Sequence, residues 1–186
     1  MNAKRLFVCA FLLTGIIALK GFAMEEKAPA NTDKQRGDGF SLGTGLTDAA
    51  GEFGFQGNVT SPWFLWNKAA VRGSGFILYR ESNWTPYYGF RLGLIGGTIM
   101  ANADIRLYGE GGVQCIFPDE SFDSDVFVIG GYGHFGFEFF VDRAHNGLTY
   151  YIELGSNGIS ATADSEAGSP LYMNGFATTV GLRFYP

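Results

Sequence analysis

The residues best equipped for chemistry are His134 and Glu138, an imidazole and a carboxylate four positions apart. In an extended segment that even spacing places both on one face. A base oriented by an acid is the arrangement that activates a hydroxyl nucleophile, and Ser74, on another predicted strand, would be that hydroxyl. No motif surrounds the pair. Gly131-Tyr-Gly-His-Phe-Gly136 reads as strand, not as the strand-to-helix turn of a phosphate cradle. His145 falls in Arg143-Ala-His-Asn-Gly147, where Asn-Gly is turn chemistry. A histidine without a serine motif reads as structural, so the expectation is a protein that is not an enzyme and has no cofactor.

Metal chemistry fares no better. Two Cys and two His are too few for a structural zinc site. Asp119, Glu120, Asp123 and Asp125 lie together, and Asp164 and Glu166 lie further on, but no Asp-x-Asp-x-Asp-Gly pattern orders them for calcium. They read as solvated loop charge. A larger set remains: Arg72, Arg80, Arg91, Arg106 and Arg183 share the polar phase of their segments with Asp104, Glu110, His134, Glu138 and Glu153. Opposite charges on one continuous face are expected to pair with each other, since an unpaired buried charge is costly.

The elements that position them follow from composition and period. The 186 residues are 46% hydrophobic and 16% aromatic but only 17% charged, with 28 Gly. That is too apolar for disorder and too poor in charge for a coiled coil. A net charge of -5 argues against nucleic acid as a partner. Residues 1–23 read as a signal peptide: Lys4 and Arg5 precede the apolar run Leu6 to Leu19, and Gly21-Phe22-Ala23 supplies the small residues of a cleavage site. Residues 24–37 read as a flexible segment, and 38–186 as one domain. Cleavage leaves Cys115 alone, so no disulfide forms within the mature chain.

After residue 23 the dominant period is two. Phe176, Val180, Leu182 and Phe184 oppose Gly175, Thr179, Gly181 and Arg183; Phe135, Phe137 and Phe139 oppose His134, Gly136 and Glu138. Eight such strands are expected. A soluble sandwich or lipocalin-like barrel would turn the apolar phase inward, and a membrane barrel would turn it outward around a polar interior. Charge and glycine concentrate on the polar phase, which suits a narrow lumen. Connections alternate in length, long at Glu81–Tyr87, Asp119–Asp125 and Ala163–Pro170, short at Asn67-Lys68 and Arg143–Gly147, with Ala49–Glu52 a short exception. Trp63, Trp66, Trp84, Tyr87 and Tyr88 sit at strand ends, as interfacial aromatics would. Cys115 falls on the apolar phase as a small hydrophobe. The expected class is all-β: a closed, antiparallel, up-and-down transmembrane barrel.

The chain ends Thr179-Val-Gly181-Leu182-Arg-Phe184-Tyr-Pro186. This resembles the closing strand of bacterial outer-membrane β-barrels, whose assembly signal combines a Gly, alternating apolar residues and a terminal aromatic. Gly181, Leu182 and Phe184 match it, while Pro186 stands where the family prefers Phe. The whole pattern is similar to the eight-stranded class typified by the OmpA transmembrane domain and the OmpX- and OmpW-like proteins. The resemblance implies an outer-membrane location with lipid and lipopolysaccharide around the barrel, and assembly by the barrel-assembly machinery. It also implies outward loops open to a surface partner. The function expected is structural or interactive, around a largely filled polar lumen. A narrow channel for ions or small solutes is the alternative, and a lipid-modifying enzyme the third reading.

Overall fold

The computed structural model describes residues 37–100, 104–141 and 147–186; the signal segment, most of the expected flexible lead-in and His145 lie outside them. The strands are β1 (Ser41–Ala49), β2 (Glu52–Thr60), β3 (Ala69–Tyr79), β4 (Pro86–Ile99), β5 (Ile105–Phe117), β6 (Val128–Phe140), β7 (Gly147–Gly158), β8 (Ala161–Thr162), β9 (Leu171–Tyr172) and β10 (Gly175–Tyr185). Eight of them close an antiparallel barrel in the order β1-β10-β7-β6-β5-β4-β3-β2. The seam runs from Leu42↔Phe184 to Ala49↔Ala177. β8 and β9 pair only with each other, forming a small ribbon in the connection from β7 to β10.

Both the first and last barrel strands start or finish at one end, here the terminal end. The opposite, loop end carries connections 50–51, 80–85, 118–127 and 159–174. The first is a two-residue turn with Ala50 at φ 56° and Gly51 at φ 90°, the left-handed pair that matches strand twist in a hairpin. At the terminal end one expectation fails. The connection after β2 is not a two-residue turn at Asn67-Lys68 but spans 61–68, with Leu65, Trp66 and Asn67 all at positive φ. Lys68 N–H donates to the Phe64 carbonyl, and Phe64 pairs with Ala69 to close it.

Alternation fixes what each face carries. Phe176, Val180, Leu182 and Phe184 of β10 stand exposed on the outside, as do Leu92 and Leu94 of β4 and Ile129 and Phe135 of β6. Their neighbours in sequence point inward and are buried or half-buried. The interior has three zones. At the loop end Phe76, Leu78, Tyr87 and Ile116 pack with Phe122 and Tyr172, which the long connections fold back into the mouth. At the terminal end Trp63, Ala70, Ile95 and Tyr108 form a second apolar cluster. Between them lies the charge.

Inward glycines make room for this. A Cβ on Gly112 would lie 2.1 Å from the Leu92 carbonyl oxygen, and one on Gly155 2.1 Å from that of Gly133. Outward Gly133 meets nothing nearer than 3.9 Å.

Candidate functional site

Six of the sequence-derived charges, joined by Asp38, assemble into a continuous chain across the lumen. Glu110 pairs with Arg72 at 2.6 Å, and Arg72 with Glu153 at 2.5 Å. Glu153 is 3.7 Å from Arg183, and Arg183 pairs with Glu138 at 3.1 Å. Glu138 also pairs with Arg106 at 3.2 Å, and Arg106 reaches Asp38 at 3.7 Å. The order is acid, base, acid throughout, drawn from β5, β3, β7, β10, β6 and the segment before β1. Each guanidinium therefore sits between two carboxylates, the geometry that offsets the desolvation of both partners.

Tyrosines complete the hydrogen bonding. Tyr108 donates to Glu153 at 2.7 Å, Tyr132 to Glu110 at 2.6 Å and Tyr185 to Glu138 at 2.8 Å. The Thr149 hydroxyl supplies a further donor to Glu138 at 2.8 Å. Arginine faces are stacked on rings as well: Arg183 lies 4.6 Å from the Tyr151 centroid and Arg72 5.2 Å from that of Tyr108. In a water-poor site such contacts add about 1–2 kcal/mol each.

Arg91 differs from the others. Among the described residues its guanidinium touches no carboxylate; it donates to Gln114 Oε1 and Asn157 Oδ1, each at 3.1 Å, and lies over the Phe76 and Tyr132 rings. Glu138 and Arg183 thus pair with each other while Arg91 stays apart from the chain.

Arg80 stands beyond β3, at the loop end, where it bonds Glu52 at 2.5 Å and Glu166 at 2.8 Å. Its guanidinium faces the rings of Tyr172 and Phe122. The Tyr87 hydroxyl donates to Glu52, and that of Tyr172 to Asp123 at 2.6 Å. Arg80 and the Ser82 hydroxyl hold the Glu166 carboxyl below its usual range, and Ser124 does the same for Asp164.

Three expected placements need correction. Asp104, the residue before β5, is exposed at the barrel end and not buried in the lumen. Tyr87 is fully buried in the loop-end core and is not an outward interfacial ring. Its phase is that of Arg91, four residues on. Trp63 is likewise buried, with the Arg106 guanidinium 4.3 Å from its ring, because the 61–68 connection folds under the barrel. Trp66, Trp84 and Tyr88 do stand outward and exposed. Leu182 and Phe184 are on the outer face, and Gly181 packs inward against Tyr151.

His134 is buried and lies against the Tyr132 ring, 5.2 Å between centroids. No hydrogen bond joins it to Ser74 or Glu138 among the described residues, and the Glu138 carboxylate is taken by two arginines, a tyrosine and a threonine. A base-acid-hydroxyl relay is not assembled here. Glu52 and Asp38 were missed from the sequence. Glu52 was legible, since it shares the phase of Gln56 and Asn58; Asp38 was not, as it precedes any strand.

A scan against protein-family models finds no match, and a search of curated proteins finds none. Solved structures do match. The N-terminal β-barrel domain of Pseudomonas aeruginosa OprF aligns with a TM-score of 0.59 at 10% identity, over 81% of this chain and 98% of that one. The outer membrane protein OprG from Pseudomonas aeruginosa aligns with a TM-score of 0.50 at 11% identity, over 81% and 97%. At such identities the likeness is one of architecture: the chain has the closed, eight-stranded antiparallel fold of small outer-membrane barrels.

Proposed function

We propose that this chain is an exported, integral outer-membrane protein whose filled barrel anchors its loops for a structural or surface-interaction role. The observation that carries the reading is the alternating chain from Asp38 to Glu110 through the lumen, inside a wall whose outer face is apolar and exposed. A closed barrel satisfies every backbone group in lipid, and the apolar outer face needs lipid to cover it. The interior charges other than Arg91 are spent on one another and on tyrosines, which suits a packed scaffold rather than a wide pore. Export by a cleaved signal peptide near Ala23 and delivery by the barrel-assembly machinery belong to the same reading. So does contact of the acidic loops with lipopolysaccharide through divalent ions, or with a surface protein.

A narrow conducting path is the second reading. Arg72 Nη2, Arg183 Nε and Nη2, Asn58 Oδ1 and His134 Nε2 are buried without a hydrogen-bond partner among the described residues, and such groups favour bridging water.

Planar-bilayer conductance of residues 24–186 refolded in detergent tests the choice, with folding shown by a heat-dependent gel shift. Electrical silence is expected. Reproducible single-channel steps would replace the filled scaffold with the channel, and selectivity would then move on reversing Glu153 or Arg72.

A further inference from the structure

At the loop end, on the outer rim, a shallow open groove lies between the β1–β2 turn and the 80–85 connection, lined by Gly51, Phe53, Tyr79, Arg80, Glu81 and Trp84. Three of those six are aromatic. Phe53 and Tyr79 are on the outward phase of adjacent strands, and Trp84 overhangs them from the connection. Tyr79 and Trp84 lie 6.1 Å apart between centroids with their planes tilted by 48°, so the two rings open as a V. Trp84 holds that position at φ 57°, a conformation L residues adopt sparingly. Its amide donates to the Arg80 carbonyl at 2.8 Å, closing the turn that carries it.

The charge around these rings is negative. Among the described residues Glu81 has no cation within ion-pair range and no hydrogen bond. Asp48, paired in register with Phe53, accepts the Gly51 amide with its carboxylate. The one cation in the lining, Arg80, is outnumbered by its own partners, Glu52 and Glu166. Aromatic faces beside uncompensated carboxylates attract cations, and best those that are bulky and weakly hydrated. A divalent metal is disfavoured, because the described residues hold no cluster of ligating groups. An inorganic anion is excluded by the sign of the field.

We propose that this groove binds an organic ammonium group, carried on the headgroup of an amphiphile. The choice of an amphiphile rests on the membrane reading: the groove sits directly above outward Phe55, Ile77 and Tyr88, where acyl chains would cover the wall and a headgroup would reach the rings. The ammonium enters the V of Tyr79 and Trp84 while Glu81 balances its charge. No covalent step is involved.

The test uses protein folded in an alkyl-glucoside detergent, which carries no ammonium of its own. Trp84 fluorescence is read in a Trp66→Phe background, where buried Trp63 contributes a constant signal. Choline chloride and mixed micelles containing phosphatidylcholine, which carries the same ammonium group, are titrated separately, against sodium chloride and phosphatidylglycerol micelles. A saturable change with the ammonium probes is expected, with the apparent Kd raised about tenfold by Glu81→Gln and by Tyr79→Leu. A tighter response to the lipid than to choline assigns the ligand to an amphiphile; equal responses overturn that assignment in favour of a free ammonium ion. No saturable change, or one that both substitutions leave unaltered, overturns the site. Failure of the membrane reading shows separately, as a mature chain that folds and stays monodisperse without detergent. The choline titration runs on that protein equally, so the groove is decided either way.

Discussion

Glu138 is where the lumen network is most exposed to a single change. Its carboxylate is fully buried and receives Arg106 at 3.2 Å, Arg183 at 3.1 Å, Tyr185 at 2.8 Å and Thr149 at 2.8 Å. Glu138→Gln keeps the shape and removes the charge. Among the described residues Arg183 retains the longer contact to Glu153, and Arg106 keeps the partly exposed Asp38. Removing one member of a buried pair costs about 3–5 kcal/mol, because the partner stays charged and unsolvated. With a urea dependence of about 2 kcal/mol per molar, the unfolding midpoint falls by roughly 2 M. Equilibrium unfolding in detergent micelles, followed by tryptophan emission and the heat-dependent gel shift, measures it. The double variant Glu138→Gln/Arg183→Gln should lose clearly less than the sum of the singles, since those groups are in contact. A midpoint within about 0.3 M of the parent, where less than 1 kcal/mol is at stake, would refute a dry, mutually paired lumen. Water would then be replacing the carboxylate.

Three further outcomes follow from named contacts. Gly112→Ala drives a methyl into the Leu92 carbonyl and should destabilise by about 1–3 kcal/mol, whereas outward Gly133→Ala should change stability by less than about 0.5 kcal/mol; thermal unfolding of the two separates them. Trp63 should resist quenching by aqueous acrylamide while Trp66 and Trp84 are quenched, and Trp63→Ala should cost about 3–5 kcal/mol; full quenching of all three would return Trp63 to the interface. The tie from Glu166 to Arg80 depresses the Glu166 pKa, so its contribution is present above about pH 4.3 and lost as pH falls through the lower folded value. Glu52, Tyr87, Asp123 and Tyr172 face the same cluster. Cleavage of the 159–174 connection by an acid-tolerant protease should therefore rise below that pH, and Glu166→Gln should show the raised rate already at neutral pH.

How much of this was legible depends on whether a residue lies inside a strand. Arg72, Glu110, Glu138, Glu153 and Arg183 are mid-strand, and a period of two fixes their direction without knowledge of any partner. What alternation cannot supply is the pairing across the barrel: Arg91 shares the inward phase yet meets amides and rings. Direction itself is lost outside the strands. Trp63 and Asp104 lie in or beside turns, where the chain reverses and phase no longer carries over, and both were misplaced. Phe122 and Tyr172 enter the mouth from long connections, a tertiary fold-back with no local signal. Tyr87 is the instructive error, since its phase with Arg91 already pointed inward and the strand-end position was weighed more heavily.

The seam between β1 and β10 has a consequence for the order of folding. Its inner face is built from Gly43, Gly45, Thr47 and Ala49 against Arg183, Gly181, Thr179 and Ala177, nearly all small. A Cβ on Gly181 would lie 2.6 Å from the Tyr151 ring, and one on Gly43 2.5 Å from the Asn58 amide oxygen. The large side chains beside the seam therefore belong to strands on either flank, and they occupy the space that the seam itself leaves free. The two strands furthest apart in sequence can zip together last over an interior already packed, with Arg183 as the one bulky group to insert. Long-range closure is the slow step of a barrel's formation, and a small-residue seam lowers the barrier at that step. Bulk added to either seam strand on its inner face should then slow assembly more than it weakens the finished barrel.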